Sequence, residues 1–205
     1  MSGNLKILDL FAGCGGLSLG FEAVGFETIG YEMDKAACET YNKNLNGACY
    51  ERKLEVGFEY PQADIVIGGP PCQPFSVWGY QKGVADSRNG FPIFIDAIEQ
   101  LNPSILLIEA GATSDMQRIR LNDGRRRRLL HREAARLQSF PDWFDFCGND
   151  TKRFNQIGNA VPPLLAYRLA LSVKKYFDDG VFYSREKILD ENYFPNMEEC
   201  PLFQV

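Results

Sequence analysis

Cys72 stands in Gly68-Gly69-Pro70-Pro71-Cys72-Gln73-Pro74-Phe75-Ser76, with three prolines within two positions of the thiol. Each proline fixes a backbone torsion, so the sulfur is held on a stiff loop with few conformations to lose. A lone cysteine is more often a buried, inert packing residue. The proline setting reverses that expectation and favours a nucleophile. Glu109 directly follows the apolar run Ile105-Leu106-Leu107-Ile108, which places a carboxylate at a strand end. A single histidine and the absence of any CxxC pair among the six cysteines argue against a zinc site, so no metal is expected. Cys38, Cys49 and Cys147 are read as packing residues and Cys14 as a small residue that fits its turn.

The elements that must position these groups alternate in type. A short apolar strand over residues 5–10 leads into the glycine turn Phe11-Ala12-Gly13-Cys14-Gly15-Gly16, and Leu17, Phe21 and Val24 then recur at helical spacing. Further strands are predicted over 27–31, 64–67 and 105–108. Helices are predicted over 35–45, around Phe94, Ile98 and Leu101, over 132–138, and from Pro163 to the Asp178-Asp179-Gly180 stop. Leu165, Leu169, Val173 and Tyr176 are the expected buried stripe of that last helix. Strands separated by helices of this length predict a doubly wound, mostly parallel α/β sheet. Ligands of such sheets bind beyond the carboxyl ends of the strands. By that rule the glycine turn, Glu32, Cys72 and Glu109 all face one crevice. A strand, a glycine turn and a helix, with an acid 19 residues after Gly13, form the layout of an adenosine-binding half-fold. Gly-Cys-Gly-Gly is not GxGxxG, so no pyrophosphate is specifically implied.

The chain has 205 residues, of which 45% are hydrophobic and 24% charged, as in an ordinary globular domain. No apolar run is long enough for a membrane span, and no basic-then-apolar leader opens the sequence; reduced thiols and a cytoplasmic setting are expected. The formal charge of −5 is unevenly spread. Residues 118–136 hold eight arginines against Asp123 and Glu133, so this stretch is +6 and the remainder −11. Such a segment can meet a polyanion locally, or be a solvated surface.

Four blocks, in order, resemble the signature of the cytosine-5 DNA methyltransferases. They are Phe11-Ala12-Gly13-Cys14-Gly15-Gly16-Leu17, Gly69-Pro70-Pro71-Cys72-Gln73-Pro74-Phe75-Ser76, Arg132-Glu133-Ala134-Ala135-Arg136-Leu137-Gln138-Ser139-Phe140-Pro141 and Gln156-Ile157-Gly158-Asn159-Ala160-Val161-Pro162-Pro163. The resemblance covers residues 5–109 and 129–177. It implies a Rossmann-like methyltransferase fold, S-adenosylmethionine as methyl donor with S-adenosylhomocysteine as product, and a flipped-out cytosine in double-stranded DNA as acceptor. Cys72 and Glu109 are then the catalytic pair. Phe11, Ala12, Gly13, Gly15, Gly16, Leu17, Glu32, Met33, Gly69, Pro71, Asn159, Ala160 and Val161 are the implied cofactor-binding residues. The resemblance further implies a modification enzyme of a bacterial restriction system, acting as a monomer on nucleoid DNA. A tRNA-modifying branch with similar blocks is the alternative, and a non-catalytic cofactor-binding remnant is another.

Three departures accompany the likeness. The family's Glu is usually followed by Asn-Val, whereas Ala110-Gly111 follow Glu109 here. Lys53-Leu54-Glu55 does not match the family's acidic residue that meets the adenine, and Glu55 is its candidate substitute. Only about twenty residues join the glutamate block to the Arg-Glu-Ala-Ala-Arg block, where relatives carry further strands, an arginine motif and a target recognition domain. The expected organisation is therefore 1–110 cofactor-binding and catalytic part, 111–128 junction or remnant of the recognition region, 129–180 returning motifs and helix, and 181–205 acidic tail.

Overall fold

The computed structural model describes residues 5–70, 90–108, 118–120, 126–180 and 200–204. Strands β1 (Lys6–Leu10), β2 (Glu27–Glu32), β3 (Ala48–Glu51), β4 (Ile65–Gly68) and β5 (Ile105–Ile108) form one sheet in the order β3-β2-β1-β4-β5, every pairing parallel. The order reverses beside β1, which opens the crevice between the β1 and β4 ends where open α/β sheets bind ligands. Central β4 (IVIG) is fully buried, as expected of a parallel strand covered on both faces.

Helices α1 (Gly16–Glu22), α2 (Lys35–Asn44) and α3 (Phe91–Leu101) connect the strands, and α4 (His131–Leu137), α5 (Asp150–Asn159) and α6 (Pro163–Asp179) follow. Asp34 caps α2, its side chain accepting from the Ala37 N–H at 3.1 Å, and Asn149 caps α5 through the Lys152 N–H. Neither β3 nor α5 is among the sequence expectations: four residues show no alternation, and α5 carries few apolar side chains. Its signal was the Asn149-Asp150 start.

One face of the sheet buries a large core that includes Ile7, Phe21, Ile65 and Ile67 together with Phe140, Phe144 and Ile157 from the C-terminal half. The other face packs Leu8, Leu10 and Val66 against Phe94, Ala97 and Leu101 of α3. The C-terminal motifs thus complete the same sheet as the N-terminal ones.

The stripe expected on α6 is corrected. Leu165 is half exposed, while Pro163, Ala166, Tyr167 and Ala170 are buried. Gly20 of α1 explains the shift, because a Cβ there would lie 2.3 Å from the Tyr167 backbone nitrogen. The helices approach backbone to backbone, and only small side chains fit that seam. Leu169, Val173 and Tyr176 are partly buried beside it.

Beyond the sheet, β6 (Arg118–Arg120) and β7 (Arg126–Arg128) pair antiparallel, where sequence reading finds no periodicity.

Candidate active site

The glycine turn is built by the carboxyl end of β1. Phe11 adopts φ 60° and Gly13 φ 56°, which swings the chain out of the strand before α1 begins. At Gly13 a Cβ would meet nothing within 4 Å, so its backbone borders open space. Its N–H donates to Glu32 Oε2 at 2.9 Å, and the Asp34 N–H donates to Oε1 at 2.7 Å. The acid 19 residues downstream is therefore tied directly to the turn. A carboxylate has about four acceptor positions, and the hydrogen bonds among the described residues use two of them.

The rest of the cradle comes from distant sequence. A Cβ on Gly16 would sit 2.4 Å from the Val161 carbonyl oxygen and 3.3 Å from Ala160 Cβ. Fold closure thus brings the fourth sequence block onto the first. Gln156 pins the same junction. Its Oε1 accepts from Thr40 Oγ1 at 2.7 Å, its Nε2 donates to the Cys147 carbonyl at 3.0 Å, and its backbone carbonyl accepts from Cys14 Sγ at 3.6 Å. Sequence reading missed this buried positioning residue, although it opens the quoted block. Among the other expected cofactor residues, Ala12, Leu17 and Val161 are buried, Met33 and Asn159 are exposed, and Gly69 is intermediate at the end of β4. Phe11 stacks on Phe94 with ring centroids 6.2 Å apart. Cys72, Pro71 and Glu109 lie outside the described residues.

These groups fit an adenosine-type cofactor. The open space over Gly13 takes ligand without a Cβ in the way, Glu32 offers acceptors for ribose hydroxyls, and exposed Met33 and Tyr50 provide apolar surface beside it. Glu32→Ala removes those acceptors and the lock on Gly13. S-adenosylmethionine affinity measured by calorimetry is expected to fall by about 1.5–3 kcal/mol, the range for hydrogen bonds involving a charged group. Unchanged affinity would leave Glu32 only a structural role.

Asp9, also missed, is buried beneath the turn and accepts from Ser18 Oγ at 2.6 Å. Burial, opposed by that hydrogen bond and assisted by nearby Glu32, pushes its pKa up to about 7. In the unfolded chain Asp9 ionises near pH 4, while in the fold it keeps its proton to about pH 7. Stability is therefore lost as pH rises between those values, by an amount on the order of 4 kcal/mol, and levels off above. Asp9→Asn is expected to flatten this part of a thermal-unfolding pH profile; an identical slope in the variant refutes the assignment. Cys14 is equally buried, and its thiol is pushed up to about 12, which keeps it unreactive as expected of a packing residue.

The sequence pattern of the family described as C-5 cytosine-specific DNA methylase matches residues 5–111 and 110–175. The chain belongs to that family. The two matched parts of this methylase meet at residues 110–111, at the start of the short connection between the glutamate block and the Arg-Glu-Ala-Ala-Arg block. A Type II methyltransferase, M.AplI of Arthrospira platensis, is 36% identical, with 83% of this chain and 86% of that protein covered. M.FnuDI of Fusobacterium nucleatum is 40% identical over 51% of the methylase, which spans only 32% of that relative. In fold, the methylase is similar to a protein described as a DNA modification methyltransferase encoded within an E. coli prophage (TM-score 0.67, 17% identity, 86% and 100% of the two chains). It is also similar to the Dnmt2 methyltransferase of S. pombe (TM-score 0.58, 11% identity, 84% and 99%). These likenesses establish the Rossmann-like methyltransferase fold.

Proposed function

We propose that this methylase transfers a methyl group from S-adenosylmethionine to C5 of a flipped-out cytosine in double-stranded DNA, as the modification enzyme of a bacterial restriction system in the cytoplasm. The observation that carries the proposal is the Glu32–Gly13 hydrogen bond at the glycine turn, with Val161 packed on Gly16 of the same turn, within a chain of the C-5 cytosine methylase family. The names of the two Type II relatives favour DNA over tRNA.

In this reading Cys72 is the nucleophile and Glu109 the proton-handling acid. The Cys72 thiolate adds to C6 of the base while Glu109 holds a proton at N3, which makes C5 electron-rich. The sulfonium of S-adenosylmethionine supplies the methyl group that C5 accepts. The C5 proton then passes to water, its electron pair restores the double bond and expels Cys72 as thiolate, and N3 returns its proton to Glu109. Glu32, Gly13 and Val161 hold the cofactor without entering the chemistry. Labelled-methyl transfer to duplex DNA, with tRNA in parallel, tests the proposal. Label in tRNA alone would move the enzyme to the RNA branch, and cofactor binding without transfer to either would make it a remnant.

DNA contact should be weak in specificity. The β6–β7 register pairs Arg118 with Arg128 and Arg120 with Arg126, which brings four arginines together in two register pairs. Arg127 is held by Glu133 through two bonds of 2.7 Å. Phosphate contacts position a protein but read no bases. The chain is expected to bind unrelated duplexes alike, with log affinity falling against log salt at a slope of about −3 to −4 if all four arginines engage. Tight, sequence-selective binding in that titration would overturn this expectation.

A further inference from the structure

The two edges of the sheet differ in kind. At one edge, β3 reads Ala-Cys-Tyr-Glu and is followed by Arg52 and Lys53, so charge guards it against pairing. At the other, β5 reads Ile-Leu-Leu-Ile, the continuous apolar run of an interior parallel strand such as β4. Yet β5 pairs only with β4, and among the described residues no strand meets its second edge.

Its two faces are also unequal. Ile105 and Leu107 pack against the main core. Leu106 and Ile108 pair in register with Val66 and Gly68, which puts them on the α3 side of the sheet. There α3 covers Val66 completely but leaves Leu106 and Ile108 each 41% exposed. Among the described residues, a strand with interior composition therefore stands at the edge of the sheet with Leu106 and Ile108 partly exposed.

The comparisons show a break after β5 and a shortfall in length. The family match breaks at residues 110–111, just after β5. The alignment with the Arthrospira relative spans 296 positions but uses 83% of a 205-residue chain, about 170 residues. More than a hundred of its positions thus face no residue here.

We propose that the outer edge of β5 is a docking site for a second polypeptide that brings a β-strand to its backbone and an apolar helix over Leu106 and Ile108. The committed partner is a chain carrying the counterpart of the stretch that the relative has and this chain lacks. This rests on the methylase reading for its partner, but on the strand's own composition and exposure for its place. Backbone hydrogen bonds would supply affinity, and the alternating Leu and Ile side chains the register.

The test co-expresses the full chain with that stretch of the Arthrospira relative, so the fragment needs no solubility of its own. A one-to-one complex is expected on size exclusion, with amide exchange at Ile105–Ile108 slowed about tenfold or more. Leu106→Lys should abolish the complex while the chain alone keeps a single cooperative melting transition, since the side chain is already partly exposed there. Unchanged exchange at β5 beside the fragment overturns the proposal. So does slow exchange in the chain alone, whether as a monomer, where its own residues would cover the edge, or as a dimer, where a second copy would. A complex with protected β5 that transfers no methyl group upholds the docking site and counts against the methyl-transfer reading alone.

Discussion

Cys72→Ser is expected to reduce methyl transfer to DNA by about 10³-fold or more while leaving S-adenosylmethionine affinity within experimental error. A serine hydroxyl is almost wholly protonated at neutral pH and is a far weaker nucleophile than a thiolate, so addition to C6 fails although the side chain is nearly isosteric. Cofactor affinity should be spared because, in the proposed reading, the Cys72 thiol meets the base while the Glu32 carboxylate takes the ribose. The measurement pairs a labelled-methyl assay with calorimetry, in whichever form supports turnover, the chain alone or complemented at β5. Normal transfer by the variant would remove Cys72 from the chemistry. A parallel loss of cofactor binding would instead show that the loop shapes the cradle.

Gly68→Ala should be the most destabilising single-methyl addition at the crevice, by about 3 kcal/mol or more. Gly68 ends β4 at φ 148°, a region that side-chain-bearing residues rarely occupy, and a Cβ there would lie 1.9 Å from the Leu10 carbonyl oxygen. That oxygen belongs to backbone at the end of the adjacent strand, so it cannot swing aside as a side chain would. Relief requires β1 and β4 to part where the glycine turn and the Gly69-Pro70 segment begin. Urea unfolding should show a lower midpoint with an unchanged slope. Gly158→Ala is the control: it lies in the last turn of α5 with nothing within 4 Å of the added methyl, so stability should hold or rise by about 0.5–1 kcal/mol. Equal midpoints for the two variants would refute the close-contact account.

Sequence alone determined the parallel sheet, because strand and helix periods are local, and each parallel strand carries its burial as an apolar run. It also determined the Glu32–Gly13 relation, since a strand-turn-helix-strand unit of fixed length leaves an acid at the second strand end little choice of neighbour. Family membership was equally legible, in four blocks that stand in the family's order along the chain. Tertiary structure alone decided which surfaces meet. The α6 stripe falls on Ala166 and Ala170 because Gly20, more than 140 residues earlier, lets two backbones touch, and no periodicity within α6 encodes its partner. Gln156 acquires its positioning role only when Thr40 and Cys14 arrive beside it. Asp9 looks like any strand carboxylate until the fold removes its water and raises its pKa. β5 reads as an interior strand from its own four residues; only the assembled sheet shows that it stands at an edge, since a strand's neighbours are set by topology and not by its composition.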